Sequence, residues 1–179
     1  MIHYNCLISA CGKQSDGEGA VSAFNALIKK ANLRADDSSY NAVIHCFSEV
    51  SDVRNVLLWF NKMLKAGVRP TEFTFSSVLH TYAKQNDVES IEYWLNRMKD
   101  EFQFEPTVIH YSVMLDALAR KGEVKWCLRY WNKMRSPTVI AFNTVLHCFA
   151  EASDDEGARK FFEQYRNSIR VNVESFNSV

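Results

Sequence analysis

The sequence predicts an all-α fold, an α-solenoid of tandem helix–turn–helix units, and three observations point to it. The heptapeptide Asn41-Ala-Val-Ile-His-Cys-Phe47 returns almost unchanged as Asn143-Thr-Val-Leu-His-Cys-Phe149, 102 residues later, or three times 34. Apolar residues recur at helical spacing on either side of both copies. Glycine and proline number only 6 and 3 in 179 residues, too few for the turns of a β-rich chain. A period of about 20–50 residues marks a repeat architecture, whose units bury their apolar faces only by stacking.

An aromatic followed by a small polar residue anchors each copy. These pairs are Tyr4-Asn5, Tyr40-Asn41, Phe75-Ser76, Tyr111-Ser112, Phe142-Asn143 and Phe176-Asn177, at intervals of 36, 35, 36, 31 and 34. Three positions after the anchor stands Ile8, Ile44, Leu79, Leu115 or Leu146. The first helix of a copy carries one apolar stripe, as in Tyr40, Val43, Ile44 and Phe47 at i, i+3, i+4 and i+7. A polar break follows at Ser15-Asp16, Ser51-Asp52, Asn86-Asp87, Gly122-Glu123 and Ser153-Asp154. There Ser or Asn is expected to cap the second helix, with the acid favoured by its positive end. The second helix bears Ala20, Val56, Ile91, Cys127 or Ala158, and four later Phe24, Phe60, Leu95, Trp131 or Phe162. Three beyond come Leu27, Met63, Met98, Met134 or Tyr165. This helix is expected to stop near Ala66-Gly67, Glu105-Pro106 and Ser136-Pro137. Two helices per copy give about eleven segments, first helices lining one surface and second helices the other. Trp59, Trp94 and Trp131 belong to the core on this pattern.

Composition narrows the function. Lys+Arg and Asp+Glu are both 21, so no basic coat advertises a nucleic acid. Five cysteines without a C-x-x-C pair argue against a disulfide framework or a zinc site and fit reduced, packed thiols. Adjacent residues on a helix point about 100° apart, so neither His45-Cys46 nor His147-Cys148 closes on a metal. His45, His80 and His147 all stand four after an anchor and read as polar lining of one helix face, with Asp116 in the fourth copy. Cys46 and Cys148 read as packing residues. No apolar run is long enough to span a membrane, and the start has no signal-peptide pattern. No nucleophile–base spacing, phosphate-cradling glycine loop or metal signature appears, so neither an enzyme nor a cofactor or small-molecule substrate is expected.

The segment Tyr4-Asn5-Cys-Leu-Ile-Ser9, repeated as YNAVIH and FNTVLH, resembles the pentatricopeptide repeat. The second-helix methionines and the Gly67-Val-Arg-Pro70 ending carry the same resemblance. Tetratricopeptide repeats would place a Trp and a Leu-Gly pair in the first helix, and no copy has them. The resemblance implies a right-handed α-solenoid forming one array, 1–179. Its repeats would be 1–36, 37–71, 72–107, 108–138 and 139–172, with a partial one at 173–179. The fourth is a short variant of 31 residues.

What the resemblance implies for function is single-stranded RNA binding, one base per repeat, read by two or three side chains. The reading pairs are then Asn5 with Asp36, Asn41 with Thr71, Ser76 with Thr107, Ser112 with Thr138, and Asn143 with Asn172. The pairs imply uridine at the first repeat, pyrimidines at the second and fifth, and purines between. Ile2, Phe73, Ile109 and Ile140 would sandwich the bases, with Ser38 departing from the pattern in the second repeat. Lys13, Lys84 and Arg120 would meet phosphates, while Glu49 and Glu151 interrupt that track. The family serves organellar RNA, which implies a mitochondrion or plastid. The rival reading is a protein-binding helical scaffold or a structural subunit of a larger assembly, which neutral charge, the two acids and the threonines closing three repeats favour.

Overall fold

Helical spacing becomes helix throughout the computed structural model, which describes residues 10, 16–30 and 34–176, the side chains of 30 and 167–176 excepted. Nine helices and no strand occur among the described residues. They are α1 (Gly17–Lys30), α2 (Asp37–Glu49), α3 (Val53–Lys65), α4 (Glu72–Lys84), α5 (Val88–Asp100), α6 (Val108–Ala119), α7 (Val124–Trp131), α8 (Val139–Glu151) and α9 (Asp155–Phe176). The expected first helix of the first copy lies outside the described residues. None of the described helices is long and apolar enough to cross a membrane.

Two compact units divide the chain, Met1–Gln85 and Asn86–Val179, and the boundary falls between the two helices of the third copy. In the first unit α2 packs on α1, α3 and α4, and α3 packs on α4. In the second, α6 packs on α5, α7 and α8, and α8 on α7 and α9. First helices of successive copies, α2 beside α4 and α6 beside α8, thus lie side by side within each unit.

The aromatic before the anchor holds each stack. Tyr40 is buried with its ring 4.9 Å from Phe24 of the preceding copy, and Phe24 lies 4.8 Å from Trp59. Phe142 repeats the arrangement in the second unit, 6.2 Å from Trp131 and stacked 5.4 Å from Phe161. Each wedge therefore joins the second helix of one copy to both helices of the next. Trp59, Trp94 and Trp131 are all buried. Cys46, Cys127 and Cys148 are free and buried, and the Cys127 thiol is pushed up by its hydrogen bond with Cys148 and by burial.

The turn inside each hairpin corrects the expected caps. Asp52 and Asp87 are themselves the N-caps, accepting from Asn55 N and Ser90 N at 3.0 Å. Asp154 likewise accepts from Gly157 N at 2.8 Å. The preceding Ser51, Asn86 and Ser153 do not cap; they take left-handed φ of 58°, 53° and 55°, as Gly122 does at 64°. Ending one helix and starting the next within two residues needs that left-handed residue, and the following amide closes back on the last turn. Asp52 N to Phe47 O at 3.0 Å, Glu123 N to Leu118 O at 3.1 Å and Asp154 N to Phe149 O at 3.0 Å are those closures.

Three further boundaries differ from expectation. α5 ends at Asp100 and α7 at Trp131, ahead of the prolines, because the chain turns first: Gln103 is left-handed and Phe104 N closes on Met98 O at 2.9 Å. α9 runs unbroken through the expected repeat boundary at residue 172. On α9 the buried ring is Phe161, while Phe162 is 42% exposed. The equivalent Phe60 is covered by Phe75 of the next copy, 5.9 Å away, and no described hairpin follows α9 to do the same.

Three outcomes follow from this packing. Trp131→Ala should cost about 3–5 kcal/mol in denaturant melts, and His147→Ala far less. Gly122→Ala should cost about 1–2 kcal/mol, since its φ is left-handed and the new Cβ would sit 3.2 Å from Ala152 N. Hydrogen bonds from Asn55 backbone and side chain hold the Asp52 carboxyl below its usual 3.8. Its contribution is therefore full above that value and lost as pH falls through the lowered one, an acid limb that Asp52→Asn should flatten.

Candidate nucleic-acid interface

The residues that close each copy turn out to be helix N-caps. Asp36, Thr71, Thr107 and Thr138 cap α2, α4, α6 and α8, all with extended backbone. Their side chains are thereby aimed at the start of the next first helix, where three backbone amides need acceptors. Asp36 Oδ1 accepts from Ser39 N at 2.9 Å and Thr138 Oγ1 from Ala141 N at 3.1 Å. Thr71 and Thr107 form capping boxes, with Thr71 N donating to Thr74 Oγ1 at 2.9 Å and Thr107 N to His110 Nδ1 at 3.0 Å.

The sequence-derived pair Asn41 and Thr71 meets directly. Asn41 Nδ2 donates to Thr71 Oγ1 at 3.0 Å, across thirty residues of chain, and Thr74 Oγ1 donates to Asn41 Oδ1 at 2.5 Å. Asn41 is 7% exposed, so its amide is held rather than free to swing. In the second unit Ser112 Oγ turns back to the Val108 carbonyl at 2.8 Å, and Asn143 is exposed. Ser76 and Ser112 are half-buried. Asn172 lies inside α9, not at an N-cap like its four counterparts, and its side chain is outside the described residues. Asn5, Ile2 and Lys13 also lie outside them.

Large apolar side chains flank the anchors in the open. Phe73 is 51% exposed, Ile109 61% and Ile140 75%, while Ser38 is exposed without an apolar surface to offer. Exposed residues of this size on the second positions of α4, α6 and α8 contrast with the aromatics two residues on, of which Phe75 and Phe142 are buried and Tyr111 half-buried. His45 lies edge-on to Phe73, with ring centres 5.5 Å apart.

The two described cations of the expected phosphate track, Lys84 and Arg120, are engaged within the chain. Lys84 Nζ donates to the Glu49 carbonyl at 2.9 Å and lies 3.5 Å from its carboxylate, tying α4 to the C-terminal end of α2. Arg120 pairs with Asp116 and donates to Asn86 Oδ1 at 3.1 Å. Glu49 also receives His45 and His80, each at 3.9 Å, and His147 lies 3.3 Å from Glu151. The columns four and eight residues after the anchor therefore contact one another. No group of His, Cys, Asp or Glu able to hold a metal occurs among the described residues.

Sequence reasoning missed the column two residues before the anchor. Ser39, Thr74, His110 and Ala141 are all buried there, and three of them are polar. The signal was available: each stands three residues after a repeat-closing Asp or Thr, which is capping-box spacing.

Comparison with known proteins places these features in a wider set. The family model described as the pentacotripeptide-repeat region of PRORP matches residues 2–179. A pentatricopeptide repeat-containing protein of Arabidopsis thaliana is 27% identical over 151 residues, 82% of this chain and 20% of that protein. A second, mitochondrial one from the same organism is 29% identical over 147 residues, 82% of this chain and 16% of that protein. The chain thus spans about a fifth or less of these relatives' length. Among solved structures, the pentatricopeptide repeat protein PPR10 from maize aligns over 93% of this chain and 24% of its own, with a TM-score of 0.81 and 19% identity. PPR10 in complex with an 18-nt psaJ RNA element aligns over 89% of this chain and 24% of its own, with a TM-score of 0.75 and 20% identity. The repeat domain of Arabidopsis thaliana protein-only RNase P 1, in complex with tRNA, aligns over 96% of this chain and 95% of its own, with a TM-score of 0.70 and 17% identity. Identities this low carry the fold alone, and that fold is the helical-repeat solenoid.

Proposed function

The chain belongs to the pentatricopeptide-repeat family, and from that premise we propose that it binds single-stranded RNA sequence-selectively, one base to a repeat. The setting is organellar RNA processing, stability or translation, in a mitochondrion or plastid, the two addresses carried in the names of Arabidopsis relatives. It binds without catalysing. The array reads 1–36, 37–71, 72–107, 108–138 and 139–172, and its readers are the anchor–cap pairs. The observation that carries the proposal is the meeting of Asn41 with Thr71 beside the exposed Phe73. An amide and a hydroxyl offer hydrogen bonds to a base edge, and an exposed ring beside them offers a stacking surface.

Ile109 and Ile140 supply apolar contact at the next steps. Lys84 and Arg120 reach phosphates by exchanging their carboxylate partners for the strand. Exposed ion pairs are worth only about 0–1 kcal/mol, so that exchange is not costly. A protein-binding scaffold is the second reading, and the internal pairing of those same cations favours it.

Selection from a random single-stranded RNA pool at low salt tests the proposal. Enrichment of a short motif whose affinity falls with salt supports it; no enrichment, with stable capture of a protein partner, hands the chain to the scaffold reading. Glu49→Gln should strengthen binding at low salt and steepen the log–log salt slope by about 0.7, one phosphate's share.

A further inference from the structure

Asn41 and Thr71 do not meet alone. Thr74, fully buried on the first turn of α4, touches both. Its Oγ1 accepts the Thr71 backbone N–H at 2.9 Å and stands 2.5 Å from Asn41 Oδ1. A separation of 2.5 Å suits O–H···O and is too short for N–H···O, whereas 3.0 Å from Asn41 Nδ2 to Thr71 Oγ1 suits an amide donor. The two lengths together decide which way the amide faces. Thr74 takes one lone pair of its oxygen and holds that oxygen toward the buried side, one Nδ2 hydrogen goes to Thr71, and the second Nδ2 hydrogen remains.

We infer that Thr74 is a positioning residue for base selection at the second repeat, holding Asn41 so that it meets a base as a hydrogen-bond donor. The inference rests on the RNA-reading function proposed above. The residue in the column of Thr74 differs in the other described copies. Ser39 donates to Asp36 at 2.7 Å, His110 has no hydroxyl, and Ala141 has no polar side-chain atom. Where the column is alanine, the Ser112 hydroxyl folds back on its own helix.

The clamp has a consequence for recognition. A donor meets the C2 carbonyl oxygen that uracil and cytosine share, so the clamped amide takes both pyrimidines alike. Telling them apart requires contact at N3, where uracil carries a hydrogen and cytosine a lone pair. An unclamped Oδ1 accepts the uracil N3–H, so releasing it favours uridine. One hydrogen bond is worth about a threefold to tenfold change in preference.

The test uses the full chain with nitrogen-15 label, and RNAs randomised at each position. In the free wild type, one Asn41 side-chain hydrogen should exchange slowly with solvent and the other fast. Thr74→Ser should keep that signature and Thr74→Val should lose it. In binding, Thr74→Val should raise the uridine-to-cytidine ratio at the second base about threefold to tenfold, with Thr74→Ser matching wild type. Two results would overturn the inference. One is fast exchange of both hydrogens in the wild type, which stands even if Thr74→Val does not fold. The other is an unchanged ratio in a Thr74→Val chain that melts normally, while Asn41→Ala alters the second base. If Asn41→Ala also changes nothing, or no RNA is bound, the RNA reading itself falls and base selection by Thr74 falls with it.

Discussion

Burial of the aromatic that precedes the anchor, as at Tyr40, Phe75 and Phe142, is the constraint on which the rest depends. Neighbouring helix residues point about 100° apart, so fixing Tyr40 or Phe142 against the second helices fixes where the next side chain goes. Full burial of such a ring is worth about 1.5–3 kcal/mol, and ring contacts such as Tyr40 with Phe24 and Phe142 with Trp131 add about 0.5–1.5 kcal/mol. An N-cap is worth about 1 kcal/mol and an exposed ion pair less. The apolar terms therefore set the helix register, and the polar residues take the places that register leaves. Asn41 reaches Thr71 because Tyr40 cannot turn.

The caps give the repeat-closing residues two tasks. Thr71, Thr107 and Thr138 satisfy the start of the next helix, and Thr71 also meets the anchor of its own copy. Threonine serves a helix start well whatever it faces, so its recurrence does not by itself identify a ligand. The Asn41 amide is different, because a helix has no need of it at that position and two hydroxyls, one of them buried, orient it. Electrostatics show the same economy. His45 with Glu49, Asp116 with Arg120 and His147 with Glu151 pair one helical turn apart.

The fold was largely legible because repetition averages out local ambiguity: a stripe seen in five copies is hard to mistake. Details that depend on backbone geometry were not legible. Ser-Asp and Asn-Asp both contain two residues able to cap, and only the left-handed φ of Ser51 and Asn86 assigns the cap to the acid. Phe161 and Phe162 are adjacent and alike, and which one is buried depends on whether a further hairpin covers the second. For the site, sequence named Asn41 and Thr71, but Thr74 and His110 read as ordinary helix residues until the capping spacing was seen against burial. The pairing of Lys84 with Glu49 spans two copies and depends on their packing, which spacing along one helix does not reveal.

The central claim is that the anchor face of the first helices is the ligand-binding surface, and its most direct test is chemical-shift mapping. Short single-stranded RNA would be titrated at low salt into nitrogen-15- and methyl-labelled protein. The account predicts that shifts concentrate on the side-chain amides of Asn41 and Asn143 and on the ring and methyl signals of Phe73, Ile109 and Ile140. Shifts confined to the outer residues of the second helices, such as Leu58 and Tyr93, or no shifts at saturating RNA, would contradict it.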